Sequence, residues 1–591
     1  MNKTKVTRKS FIKVATAIPF LGAGMLACGE GDNDKDTREN AKYEIEETVK
    51  TTLTETLKES SFELDKKLNI LDIDSVMSSD YGKLEVSEGE AHILDKTLLQ
   101  NPNEYIEPEV RKSLLFFPQI TDIHITDVQS PMRALYAYSI GIGAGSAYRP
   151  QSIYSTHVLN SMVQTINSIH KKESFDCVIA TGDMIDNAES IEMHWFNTLM
   201  NGGVVRANSG NHEDPVEGSA NDFTDPYVAD GLSDDLNWYA SLGNHDILHI
   251  GINYITDEKA ESYILGEIST ISLGCGIYTG TQDASTEHGD PKCAFEEIEK
   301  DGQAKYIPVG VDDCKVEDYG RCDNPSISPD IQRTPFRTHD ELIEDIEDAG
   351  AFDKNNTDKQ SGYYFVRPNK DIPIELIFLD LSASKKDFIK EDNVLDPNQV
   401  MTNALLGQDQ YNWLRDRLDK LEVEGVASII VQHQPTTSFH AQSKINSSEF
   451  VSLLKTYEDV LAIIAGHTHK NKIRHFKSEA EGEYPLVEIV SSSLLDFPEQ
   501  SRIYELVYND NGSISLFTTM LNHASKKESF SHKARRLSLA YTQVAKAYGD
   551  YGPGSLNDRN KEIIIPISEK LQAKLESITV QANYVKSLKV D

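Results

Sequence analysis

Five clusters of metal-binding residue types follow five apolar runs of this 591-residue chain. They are Asp122-Ile123-His124, Gly182-Asp183-Met184-Ile185-Asp186-Asn187, Gly243-Asn244-His245-Asp246, His433 within Val431-Gln432-His433-Gln434-Pro435, and Gly466-His467-Thr468-His469. Carboxylate, imidazole and one neutral amide suit borderline divalent ions (Mn, Zn or Fe), whereas Ca wants only oxygens. Asp122, His124, Asp183, Asn244, His433, His467 and His469 are seven candidate ligands. That is too many for one tetrahedral ion and suits two ions sharing a carboxylate. The i,i+2 spacing of Asp122/His124 and of His467/His469 predicts both side chains on one side of an extended segment. A helical zinc site would need i,i+4 spacing, and no His-Glu-x-x-His occurs.

The elements that must position these clusters are legible around them. Runs 114–120, 177–180, 238–242, 426–431 and 460–465 are short and continuously apolar, the pattern of strands buried on both faces. Between some of them lie helical patterns. Residues 156–170 repeat apolar side chains at helical spacing, and 410–421 carries Trp413, Leu414, Leu418 and Leu421 on one stripe. Strands alternating with helices predict an α/β sandwich, whose ligands gather beyond the carboxyl ends of strands. Residues 251–370, rich in Gly, Asp and Pro, predict an inserted cap or subdomain, with a strand recovered only at 374–381. The tail predicts antiparallel strands at 502–507 and 513–518 around Asn509-Asp510-Asn511-Gly512. A helix near 533–547, a strand at 562–567 and a final helix follow. A further helix is expected around 43–67.

In order, the clusters read D-x-H, G-D-x-x-D, G-N-H-D, H and G-H-x-H, and the set resembles the calcineurin-like metallophosphoesterase superfamily over 113–520. Ser130-Pro131, Tyr148-Arg149-Pro150 and Leu494-Leu495-Asp496-Phe497-Pro498 resemble a branch of exported bacterial members. The resemblance implies a four-layer αββα sandwich, two divalent ions, and hydrolysis of small phosphate mono- or diesters by a hydroxide bridging the ions. It makes Asp122, His124, Asp183 and His469 ligands of one ion. Asp183 then bridges, and Asn244, His433 and His467 complete the second. His245 would meet the substrate phosphate and protonate the leaving group, with Asp246 orienting it. Asp127, Asp186 and Asn187 are expected to hold ligands by hydrogen bonds, and His249, His440 and His475 to be surface or supporting residues. Purple acid phosphatases place a Tyr ligand where this chain has Asp186, so that branch does not fit. Gly210-Asn211-His212-Glu213 offers a second copy of the third motif. It follows the poor strand Arg206-Ala207-Asn208-Ser209, whereas Trp238-Tyr239-Ala240-Ser241-Leu242 leads well into Asn244 and His245.

Composition limits the partners. Lys plus Arg total 58 against 94 Asp plus Glu, a net charge of −36. That excess excludes a broad nucleic-acid or anionic-membrane surface, but not a small phosphate ester at bound cations. Residues 1–28 combine a basic opening (Lys3, Lys5, Arg8, Lys9, Lys13) with an apolar stretch too short to span a bilayer. Thr7-Arg8-Lys9-Ser10-Phe11-Ile12-Lys13 resembles a twin-arginine signal, and Met25-Leu26-Ala27-Cys28 a lipoprotein cleavage site. Both predict export to the periplasm or cell surface with a lipid on Cys28. Residues 29–112 then form a tether and N-terminal extension, and 521–591 a C-terminal extension packed on the core. Cys177 reads as a buried thiol. Cys275, Cys293, Cys314 and Cys322 lack paired C-x-x-C knuckles and predict disulfides rather than zinc. The rival to a hydrolase is a surface-anchored binding lipoprotein that keeps its metals for structure alone.

Overall fold

The computed structural model describes residues 41–61, 73–127, 149–207, 223, 225–252, 268–272, 276–279, 339–349, 362–382, 402–544 and 552–591. Each of the five apolar runs is a strand: β4 (Arg111–Ile120), β5 (Val178–Thr181), β8 (Trp238–Ser241), β13 (Ala427–Val431) and β14 (Val460–Ala465). They divide between two sheets. One has seven strands in the order β3 (Ile93–Asp95), β19 (Lys561–Pro566), β18 (Ser513–Asn522), β17 (Gln500–Asn509), β4, β5, β8. Its β4, β5 and β8 run parallel, with Gln119 opposite Ile179 and Ile179 opposite Tyr239. The other has six, in the order β11 (Tyr364–Val366), β12 (Ile374–Phe378), β13, β14, β16 (Leu486–Val490), β15 (Lys472–Phe476). Within it β12, β13, β14 and β16 are parallel.

The period-two alternation of strand side chains sorts the six-stranded sheet onto two cores. Leu376, Phe378, Ile429, Val431, Ala462 and Ile464 join the core shared with the seven-stranded sheet. Tyr239 and Phe378 meet across that seam with ring centroids 6.3 Å apart. The alternate residues Ile377, Ile430 and Ile463 pack instead with Leu414, Leu418 and Leu421 of a helix at Gln408–Glu424 and Phe450 of one at Ser447–Leu454. On the far side α2 (Ser155–His170) and α3 (Ser190–Asn201) lie side by side against the seven-stranded sheet. The layers are therefore helix, sheet, sheet, helix. In chain order the remaining helices are α1 (Ile73–Ser78), α4 (His339–Ala349), α5 (Gln408–Glu424), α6 (Ser447–Leu454), α7 (Phe530–Val544) and α8 (Glu569–Ser577).

Two expectations about elements are corrected. No helix occupies 41–61; β1 (Glu55–Glu59) pairs antiparallel with β2 (Leu84–Glu88) instead. Thr51, Thr52, Thr54 and Thr56 are β-branched and stiff at χ1, which disfavours helix. The amide and hydroxyl of Thr52 both donate to Met520 O, docking the segment on β18. Within 251–370 the chain forms β9 (Ile268–Ser272) and β10 (Gly276–Thr279), and α4 sends Leu342, Ile343 and Ile346 into the main core. A strand also returns earlier than 374, because β11 is the edge of the six-stranded sheet. At three residues β11 is too short to show a pattern. Tyr364 anchors it, stacking on Phe378 at 4.7 Å and bonding both N and O of Ala240 through its hydroxyl. A hairpin, β6 (Gly203–Val205) and β7 (Tyr227–Ala229), follows α3. Cys177 is a buried free thiol. Cys28, Cys275, Cys293, Cys314, Cys322, Ser130-Pro131 and the Gly210-Asn211-His212-Glu213 copy lie outside the described residues.

Candidate metal centre

Parallel β4, β5 and β8 end just before Asp122, Asp183 and Asn244, and parallel β13 and β14 just before His433 and His467. Two sheets thus deliver their carboxyl ends to one place. Asp122, His124, Asp183 and His469 converge with one ligand-type atom each within 4.8 Å of the others. Asp183 converges a second time, with His433 and His467, under the same limit. All six are buried except the partly exposed His467.

The tight approach is made with strained backbone. Asp122, His124, Asp183, His467 and His469 have φ of 51°, 49°, 49°, 71° and 54°, left-handed values costing non-glycine residues of order 1–3 kcal/mol each. This corrects the expectation of extended i,i+2 segments. Both D-x-H and H-x-H turn rather than run on, since the chain must leave the strand end and face the centre at once. Glycine permits the crowding: a Cβ at Gly243 would lie 2.2 Å from Asp183 Oδ1. At Gly251, φ 71°, one would lie 2.3 Å from Asn244 Nδ2 and 2.4 Å from His245 Cδ2.

Each of three histidines is oriented through Nδ1, leaving Nε2 to face inward. His124 Nδ1 donates to Asp186 Oδ1 at 2.9 Å, His433 Nδ1 to Thr181 O at 2.7 Å and His469 Nδ1 to Asp496 Oδ2 at 2.6 Å. Their Nε2 atoms then gather around the carboxylates. Asp183 Oδ2 lies 3.1 Å from His433 Nε2 and 3.8 Å from His124 Nε2, and Asp122 Oδ1 lies 3.1 Å from His469 Nε2. His124 Nε2 and His469 Nε2 are themselves 3.2 Å apart. Asp122 is braced by Thr121 Oγ1 at 2.7 Å and by the His467 amide at 3.0 Å. Asn244 donates Nδ2–H to Gly251 O, while its Oδ1 is buried with no hydrogen-bond partner among the described residues.

The electrostatics call for cations. Burial pushes the carboxyls of Asp122, Asp183 and Asp186 up, yet His469, His433 and His124 respectively head the neighbours that hold each below the ordinary carboxylate range. Burial lowers His433 and His469 as well, but Asp183 and Asp122 outweigh it and lift both to about 9. His124 and His467, where burial wins, fall to about 4 and about 3. Clustered ionised carboxylates, inward imidazole nitrogens and an orphan amide oxygen are the donor set that borderline divalent ions take. The buried Asp/His clusters fit a divalent metal site.

His245 lies beside this set, its ring centroid 4.5 Å from that of His124. Its Nδ1 donates to Asp186 O at 2.9 Å and lies 3.2 Å from Asp186 Oδ1. Burial opposes its charge, but Asp183 and Asp186 raise it above the usual imidazole value. Asp246 does not orient it, which corrects that expectation. The Asp246 carboxylate turns inward and accepts the amides of Gly243 (2.7 Å), Asp183 (3.0 Å), Met184 (2.7 Å) and Ile185 (3.1 Å). Four backbone donors leave no reason for it to point at its neighbour's ring; burial and Asp183 push its carboxyl up to about 7 against them. Asp186 takes the orienting part instead.

Asn187 also departs from expectation. Its N–H and Nδ2–H donate to Glu192, at 2.8 Å each, rather than to a ligand. Glu192 further accepts the amides of Asp127 (2.8 Å) and Asp186 (3.2 Å), tying two loops to α3. Nothing in the sequence singles out Glu192, which looks like any acid in a helix's first turn. Asp496 and Arg149 stand only within longer motifs that assign them no separate role. Arg149 Nε donates to Asp496 Oδ2 at 3.0 Å. Of the three other histidines, His475 pairs with Asp95 at 3.1 Å and His249 is buried.

No family model and no curated protein sequence matches the chain. Among solved structures, a dimetal phosphatase from Danio rerio aligns with 70% of this chain and 100% of its own, at 12% identity and a TM-score of 0.32. At that level of similarity only the site's own geometry can carry the chemistry.

Proposed function

We propose that this chain is an exported, metal-dependent phosphoric ester hydrolase acting on small phosphate mono- or diesters. The observation that carries it is the pair of buried Asp/His groups sharing Asp183, with imidazole nitrogens turned inward from two sheets. In this reading Asp122, His124, Asp183 and His469 hold one divalent ion (Mn, Zn or Fe), and Asp183, Asn244, His433 and His467 the other. Two such ions supply positive charge to phosphoryl oxygens and lower the pKa of water toward ~7.

The chain's own residues do the rest. Asp186, Thr181 and Asp496 fix three imidazoles by their Nδ1 protons, so Nε2 is committed to the centre. His245, held at Nδ1 by Asp186 and raised in pKa, carries its second proton at Nε2. It delivers that proton to the departing alkoxide. The Asp246 carboxylate keeps the 183–185 turn in place beneath it.

Export and a lipid on Cys28 are supported by the basic opening, the short apolar stretch and Met25-Leu26-Ala27-Cys28; mass spectrometry of the mature amino terminus tests them. For the activity, protein loaded with Mn, Zn or Fe is assayed on an aryl phosphomonoester and an aryl phosphodiester, with metal counted by elemental analysis. Turnover of either ester is expected. Bound metal with no turnover of both would favour the anchored binding protein.

A further inference from the structure

The two sheets end in edge strands, β3 on one and β15 on the other, and between these opens a cavity of about 930 Å³. None of the candidate metal ligands lines it. Its charged lining is Lys96, Lys472, Lys477, Lys561 and His475 against Asp95 and Asp558. Both carboxylates are already engaged. Asp95 Oδ1 accepts the Thr97 amide at 3.0 Å, and its Oδ2 meets Lys561 Nζ at 2.7 Å and His475 Nε2 at 3.1 Å. Asp558 accepts the Ile473 amide and the Ser555 hydroxyl, with Lys472 Nζ 3.4 Å away.

What remains is cationic. Lys96 and Lys477 have no carboxylate partner among the described residues; Lys96 lies over the Tyr105 ring at 5.6 Å. Lys561 is buried at 6% exposure, so its charge sits in the floor and not on a freely solvated rim. The cavity therefore carries two positive charges in excess, in a chain whose net charge is −36. A concave wall focuses such a field. Ile93 and Leu94 line the same cavity at 37% and 40% exposure, an apolar surface that no described residue covers further. Isolated surface lysines would be solvated charges; here they line one open cleft of small-ligand size beside apolar side chains.

We propose that this cavity binds a small organic anion bearing at least two negative charges, phosphate or carboxylate, with an apolar body that covers Ile93 and Leu94. Its charged groups are met by Lys96 and Lys477, the two lining lysines that no carboxylate engages among the described residues. This does not depend on the hydrolase reading.

The test is calorimetric titration of the purified protein with benzylphosphonate and with succinate at matched ionic strength. It is run on the wild type, on Lys96→Glu/Lys477→Glu, and on His433→Ala as a change at the metal centre. Saturable binding of either probe that weakens at least ~10-fold in the double variant and persists in His433→Ala is expected. Benzylphosphonate alone binding marks a phosphate ligand, and succinate alone a carboxylate. No binding of both probes, equal binding in the double variant, or a loss confined to His433→Ala would overturn the proposal. Lys477 is exposed and Lys96 half-buried, and a matching melting temperature would show that the double variant folds.

Discussion

His469 Nδ1 lies 2.6 Å from Asp496 Oδ2, and the same oxygen accepts Arg149 Nε at 3.0 Å. Burial raises the Asp496 carboxyl, but Arg149 and then His469 outweigh it and bring it to about 2. One carboxylate thus fixes the tautomer of an inward-facing histidine and is itself held charged. Asp496→Asn should weaken metal affinity about 10- to 100-fold while leaving the fold intact. Competition with a chromophoric chelator measures it; unchanged affinity would show that His469 needs no such partner.

His245→Ala should keep its metals and lose about 10²- to 10⁴-fold in turnover. The loss should shrink with an aryl leaving group, which needs little protonation. Asp186→Asn should lower metal affinity, because its carboxylate holds His124, and should weaken turnover less than His245→Ala, because His245 keeps its bond to the Asp186 main-chain carbonyl. Leaving-group dependence of kcat, measured beside metal content, separates the two variants. Equal losses on alkyl and aryl esters in His245→Ala would remove it as the acid.

Asp246→Asn distinguishes an anchor from an orienting residue. An amide in place of the carboxylate would set an NH2 group against backbone N–H donors of the 183–185 turn or Gly243. Each unsatisfied donor costs about 1–3 kcal/mol. The expected outcome is loss of metal and a lower melting temperature, with no special dependence on the leaving group. Full metal content with a His245-like kinetic defect would restore Asp246 to the role the motif implied.

Protons compete with metal at His433 and His469. Both sit at about 9 in the metal-free chain, above the ordinary value of 6.5. Their protonation stabilises that form fully below pH 6.5, and the contribution is lost as pH rises toward 9. Metal uptake near pH 7 should release about two protons. Calorimetry in buffers of different ionisation enthalpy counts them, and release of none would contradict the raised values.

How much of this was readable beforehand divides by distance along the chain. Asp122, His124, Asp183, His433, His467 and His469 stood at the ends of apolar runs, and a run buried on both faces shows its own termini. The layering was equally open, because β13 and β14 lie in short apolar runs, the mark of strands covered on both faces. What stayed hidden depended on orientation. Asp246 and His245 are adjacent, yet four amides claim the first, and nothing local in G-N-H-D records where those amides lie. Asp496 and Glu192 act across loops, so spacing could not reveal them. The Tyr43 region failed for another reason: its threonines follow contacts with β18, more than 400 positions away.

The centre draws Asp122, Asp183 and Asn244 from one sheet and His433, His467 and His469 from the other. Whatever it holds acts as a rivet through two plates. Sliding one layer over its partner would tear the ring of donors apart well before it disturbed the oily seam between them. Stripping the centre bare should therefore slacken the whole joint, and not merely the turns that surround it.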